Sequence, residues 1–177
     1  MVDKIRVALV GLGNCFSGLI QGIEYYRKNP SQEVIGIIHD KLSGYSIHDI
    51  EFVAGFDVGA NKIGMPLNEA IYESPNMVNW IDKNDMPKTD GMVHESPALD
   101  GVGIWVENKV KPIKSDKSNS ELEEEIKKII KDVGVEIIVS YLPVGSEKAT
   151  QFWANICLDT NTAFVNCMPS FIASDKE

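Results

Sequence analysis

Ile5-Arg6-Val7-Ala8-Leu9-Val10-Gly11-Leu12-Gly13-Asn14-Cys15-Phe16-Ser17 is the stretch that decides the fold of this 177-residue chain. An apolar, β-branched run stops at two glycines, and Phe16, Leu19, Ile20, Ile23 and Tyr26 then recur at helical spacing. Strand, glycine turn and helix in that order make a cradle for a dinucleotide pyrophosphate. Gly11 permits the tight turn, Gly13 lets backbone approach the phosphates, and the helix points its N–H-rich, positive end at the anion. Where the dinucleotide fingerprint has a third glycine, this chain has Phe16. That glycine serves helix–strand packing, so its loss shifts the helix and leaves the anion site in place.

Phe52-Val53-Ala54-Gly55-Phe56-Asp57 reads as a second buried strand ending in a carboxylate. An acid there accepts hydrogen bonds from the adenosine ribose hydroxyls and repels a 2′-phosphate, which points to NAD rather than NADP. The usual distance from the glycines is about twenty residues, and here it is roughly twice that. An insertion at about 31–50 accounts for the excess: Asn29-Pro30-Ser31 stops the first helix, and a loop including Gly44-Tyr45 precedes Glu51.

Further on, strands and helices alternate. Ser120-Glu121-Leu122-Glu123 reads as a capping box with Ser120 as N-cap. Leu122, Ile126, Ile129, Ile130 and Val133 form an apolar face, and Glu123/Lys127 and Glu124/Lys128 pair along the helix before Gly134 ends it. Glu136–Leu142 is a buried strand, Pro143-Val144-Gly145-Ser146 a turn, and Ser146 caps a helix with Ala149, Phe152, Trp153 and Ile156 inward. Asp159-Thr160-Asn161 turns into the strand Thr162–Cys167. Strands separated by helices imply right-handed crossovers and a Rossmann-like, doubly wound parallel α/β sheet. Residues 75–118 are a second insertion: Asn76–Gly91 reads as loop, and the charged run from Val106 to Asn119 as exposed or mobile.

Composition narrows the class. A hydrophobic fraction of 44% and a charged fraction of 24% suit one soluble domain over 1–177. No apolar run reaches the ~20 residues of a membrane span. Net charge of −9 lacks the basic footprint of a nucleic-acid binder. Cys15, Cys157 and Cys167 are an odd number without CxxC spacing, which argues against a disulfide frame or metal site and for the reducing cytoplasm.

Several blocks carry a more specific resemblance. They are the Gly11–Ser17 turn, Ile23-Glu24-Tyr25-Tyr26, Gly36–Tyr45, Asp49–Val58, Leu99-Asp100-Gly101-Val102, Tyr141–Glu147 and Phe164–Asp175. Together they resemble myo-inositol-1-phosphate synthase (inositol-3-phosphate synthase) of the short archaeal and bacterial type. The resemblance implies an NAD-dependent isomerase serving inositol and phospholipid biosynthesis. It would convert D-glucose 6-phosphate to inositol phosphate without net redox change, through oxidation, enolisation, aldol closure and reduction. Carried over, Gly11, Gly13, Asn14 and Cys15 would line the pyrophosphate and Asp57 the ribose. Leu142, Pro143, Gly145 and Ser146 would sit beside the cofactor, and Asn166 would close the site. The plainer readings make Cys15 a small buried residue, Asn166 a satisfied strand end, and Leu142 and Pro143 ordinary turn residues.

Family members are about twice this long, form tetramers, and carry their catalytic lysines beyond the position of Glu177. The expectation is therefore an N-terminal half, lacking the last Rossmann strand and the catalytic and tetramerisation domain. Lys62, Lys83, Lys88 and Lys109 read as loop or solvated-face residues matching no catalytic motif. Two rivals stand beside this: a dehydrogenase of the homoserine or glucose–fructose type, and an NAD-binding module without catalysis.

Overall fold

A computed structural model describes residues 4–30, 36–102 and 108–174. Strand β1 (Ile5–Val10) leads through the glycine turn into helix α1 (Asn14–Lys28), and β2 (Ile50–Asp57) follows. The short helix α2 (Leu67–Ala70), β3 (Met92–Glu95), α3 (Asn119–Asp132), β4 (Ile137–Ser140), α4 (Glu147–Thr160) and β5 (Ala163–Asn166) complete the order. All strand pairs are parallel and the sheet order is β3-β2-β1-β4-β5. This is the Rossmann arrangement. The chain builds outward from β1 to β3, then crosses back to lay β4 on the other side of β1, leaving a crevice at the carboxyl ends of β1 and β4.

Alternation along β1 feeds two cores, as a strand buried on both faces requires. Ala8 and Val10 pack with Phe56, Ile126, Ile130, Ile138, Trp153 and Ile156 beneath α3 and α4. Val7 and Leu9 pack with Leu12, Phe16, Ile20, Leu67, Ile71 and Val93 beneath α1 and α2. Phe16, standing where a glycine was expected, is fully buried and meets Tyr141 edge-on at 4.8 Å. The ring replaces close backbone packing with an aromatic contact, so the turn survives the missing glycine.

Several local expectations are corrected. Leu19 is 37% exposed, because α1 turns Ser17, Gln21 and Glu24 inward instead. The Gln21 amide donates to Ser17 Oγ and the Val78 carbonyl and accepts from the Trp80 and Ile81 N–H groups. One polar side chain thus seals the loop 78–81 onto the helix. The capping box of α3 is Ser118/Glu121, not Ser120/Glu123. Both serines lie three residues before a glutamate, and the earlier one wins with an extra half-turn of helix. Lys127 reaches Glu123 as expected, but also Asp159 of α4 at 2.7 Å, while Lys128 pairs with Asp132 rather than Glu124.

The segment 75–118 contains β3, paired to β2 from Ala54–Met92 to Asp57–Glu95. Four residues with a histidine and a glutamate are too short and too polar to stand out as a strand. Of the charged run from Val106, Val106 and Glu107 lie outside the described residues. The part beyond is pinned by backbone bonds from Ala60 to Lys111 and from Ile113 to Val58. Among the described residues, no helix is long and apolar enough to cross a membrane, and no group of three or more potential metal ligands occurs.

Candidate functional site

A cavity of about 210 Å³ opens at the carboxyl ends of β1, β2 and β4, lined by Gly11, Gly13, Asp57, Lys62, Leu142 and Pro143 among others. A larger cleft of about 490 Å³ lies by Arg6, Glu51 and Val133, at the opposite ends of the strands and away from the glycine turn. Ligands of open α/β sheets bind at the carboxyl ends, which selects the smaller cavity.

The two glycines do different work. Gly11 has φ +81°, and a β-carbon there would stand 3.1 Å from the Tyr141 carbonyl oxygen, so backbone alone demands it. Gly13 is extended, and a β-carbon would meet no protein atom within 4 Å. Its missing side chain leaves open space on the cavity. Gly13 is also the N-cap of α1, and no side chain caps that helix, nor does an acid stand in its first turn. The N-terminus of a 15-residue helix thus lies beside the cavity without a side-chain cap, the electrostatics that suit an anion.

Asp57 lies where the β2 reading put it. One carboxylate oxygen accepts from the Leu12 N–H at 2.8 Å and the other from the Gly59 N–H at 2.7 Å. A carboxylate offers about four lone-pair sites, which leaves capacity for a pair of ribose hydroxyls. Leu142 and Pro143 also line the cavity.

The other carried-over residues stand differently. Asn14 begins α1, but its side-chain oxygen accepts from the Met77 N–H at 2.7 Å, which ties loop 77 to the helix. Cys15 is exposed beside it, so the reading of a small buried residue fails. Gly145, φ +89°, forms the turn before α4. Ser146 occupies the N-cap position of α4 without capping it: its hydroxyl is buried with no hydrogen-bond partner among the described residues. The cap comes from far away, as Asp100 accepts from the Lys148 and Ala149 N–H groups at 2.7 and 3.0 Å. Asn166 donates to the Ser170 carbonyl and accepts from the Met168 N–H, holding the turn after β5, and it does not line the cavity.

Lys62 corrects the expectation of a solvated lysine. It is only 4% exposed, lines the cavity and donates to the Leu12 carbonyl at 2.6 Å and to Asn76 Oδ1 at 3.2 Å. Burial pushes its pKa down, opposed by the nearby carboxylates of Asp57 and Glu73. The run Ala60-Asn61-Lys62-Ile63 carries no signal of this, since a turn in sequence gives no hint of what packs over it. Asn76 and Asp100, the latter named only within a block of resemblance, carried no assigned role for the same reason.

Sheet order, glycine turn and uncapped helix define a Rossmann-type α/β domain, the class of fold built around a dinucleotide crevice. No family model matches the chain. Over nearly its whole length it is nevertheless related to inositol-3-phosphate synthases. It is 44% identical over 173 residues to that of Mycolicibacterium smegmatis and 45% identical over 176 residues to that of Corynebacterium glutamicum, covering 97% and 99% of this chain. The Mycobacterium tuberculosis enzyme is 41% identical over 173 residues. The chain spans about half the length of the curated relatives it matches, 46% for the first two. Among solved structures, Ari2 superposes with a TM-score of 0.79 at 28% identity, covering 98% of this chain and 49% of that one. A myo-inositol-1-phosphate synthase-related protein from Thermotoga maritima shares the fold, with a TM-score of 0.74 at 20% identity over 97% of this chain and 50% of the other.

Proposed function

We propose that this chain is the NAD-binding part of an inositol-3-phosphate synthase, an isomerase acting on D-glucose 6-phosphate. The observation that carries the cofactor reading is the uncapped N-terminus of α1 behind Gly11 and Gly13, with the Asp57 carboxylate bonded to the turn and lining the same cavity. These residues fit the group. Gly13 leaves the space a pyrophosphate fills, the first-turn amides supply donors, and Asp57 keeps lone pairs for the ribose. Bound there, NAD supplies the hydride acceptor and donor of a conversion with no net redox change. Leu142 and Pro143 wall the crevice on the β4 side, Asn14 and Cys15 open α1, Gly145 and Ser146 form the turn before α4, and Asn166 stands off the cavity.

Whole-enzyme activity rests on the relatives' names and on this cofactor site. Ring closure needs cations to hold the sugar phosphate and stabilise an enolate oxygen, and losing one such donor costs roughly 10²–10³ in rate. Among the described residues lining the cavity the one cation is Lys62, already bonded to Leu12 and Asn76. The 177-residue chain is therefore expected to bind NAD without releasing inositol phosphate from glucose 6-phosphate. Calorimetric titration with NAD and NADP, followed by a phosphate-product assay, tests both halves. No NAD binding would refute the site; turnover would mean that residues 1–177 hold a complete catalytic centre.

A further inference from the structure

The backbone of Leu12, between the two glycines, is held through both its N–H and its carbonyl. Its N–H donates to Asp57, and its carbonyl oxygen accepts from Lys62 Nζ at 2.6 Å and Asn76 Nδ2 at 2.9 Å. A carbonyl oxygen has two lone pairs, so this one is saturated. The clamp is itself braced: Lys62 donates to Asn76 Oδ1, and the Asn76 amide also donates to the Ile71 carbonyl. Asp57 holds Gly59, whose carbonyl accepts from the Lys62 N–H, closing the circuit through backbone. A buried ammonium is expensive unless paired and hydrogen-bonded. Packing alone does not require one here, because an apolar side chain would fill the same volume. What the ammonium adds is a charge-assisted bond to the turn and a counter-charge for Asp57.

We propose that Lys62 and Asn76 are positioning residues for the glycine turn, holding the Leu12 carbonyl so that the amides opening α1 face the cavity before any ligand arrives. The inference rests on the NAD reading for its purpose, but the clamp itself is a property of the free protein. It lowers the ordering cost of binding, since a turn already in its bound shape has nothing left to lose. Lys62 touches neither phosphate nor reacting atoms in this role.

The test uses the full 177-residue chain as wild type, Lys62→Met, Lys62→Gln and Asn76→Ala. NAD affinity is measured by calorimetry, and amide hydrogen exchange is followed at Leu12 and Gly13 without ligand. Lys62→Met is expected to weaken NAD roughly ten- to hundredfold, as loss of a charge-assisted bond implies, and to speed exchange at those two amides. Lys62→Gln, which keeps a donor, should recover part of both. Lys62→Met binding NAD like wild type, or binding weakly with exchange at the turn unchanged, would overturn the proposal. Should Lys62→Met fail to fold, Asn76→Ala carries the same two readouts by removing the other carbonyl donor. If the wild-type chain binds no NAD, the cofactor reading fails and the exchange data alone decide the clamp.

Discussion

Helices α1 and α4 follow the neighbouring strands β1 and β4 onto opposite faces of the sheet, and both come after a glycine with positive φ. Their N-termini are nonetheless opposites. That of α1 has no side-chain cap and no acid in its first turn, and it borders the cavity. That of α4 is shut: Asp100 caps it from the loop after β3, and Gly101 lies so close that a β-carbon would stand 1.8 Å from Ser146 Oγ. Equivalent places in one topology therefore carry different electrostatics. A helix end becomes a ligand site through what fails to cover it, and the loop 96–102 covers one while leaving the other bare.

The sharpest way to break this contrast is Gly13→Val. A side chain at Gly13 meets no protein atom but fills the space left for a pyrophosphate, so NAD affinity should fall more than a hundredfold while far-UV circular dichroism stays near native. Next comes Asp57→Ala. An unpaired like-charge clash in a desolvated site costs a few kcal/mol, or more than a hundredfold at ~1.4 kcal/mol per decade. The preference for NAD over NADP should therefore collapse in parallel titrations. Equal affinities in the unmutated chain would already remove Asp57 from the ribose.

On the closed side the effects fall on stability instead. Gly101→Ala adds a β-carbon against Ser146 at φ +76° and should cost about 1–3 kcal/mol in urea unfolding. Asp100→Ala removes the distant cap and should cost about 1 kcal/mol in the same unfolding measurement. Lost NAD affinity in Gly101→Ala would mean that the two helix ends are coupled after all.

The smallest effect concerns His94 on β3, just upstream of the covering loop and packed against Phe56 at 5.8 Å. Burial lowers its pKa below the ordinary 6.5, with Glu125 opposing. The unfolded chain therefore takes up the proton first. The stability of the neutral form is fully present above about pH 6.5 and is lost as pH falls from there toward the folded pKa. In His94→Gln that part of the pH dependence should vanish from denaturation midpoints measured between pH 5 and 7.

Long-period patterns in the chain were legible and short or distant ones were not. The β-branched run of β1 and the 3.6-residue face of α3 bury many side chains each, so their signal survives any single exception. Met92–Glu95 is a four-residue edge strand whose sheet role depends on β2 lying beside it. Ser118 and Ser120 offered equivalent caps, and helix length chose between them.

Gly11, Gly13 and Asp57 were readable because glycine conformations and strand-end carboxylates leave their requirement in local sequence. The buried Lys62, the Asn76 clamp and the Asp100 cap were not, since each bonds a partner at least 48 residues away, 50 for Lys62 and 64 for Asn76. By itself, then, the sequence determined the alternation of strand and helix, the parallel sheet that follows from it, and the glycine turn between β1 and α1. These rest on backbone preference and hydrophobic period, which act over a few residues. Tertiary structure alone decided which helix end stays open, which lysine is buried and which turn is held in advance. Those outcomes depend on side chains meeting across the fold, and no local rule encodes such meetings.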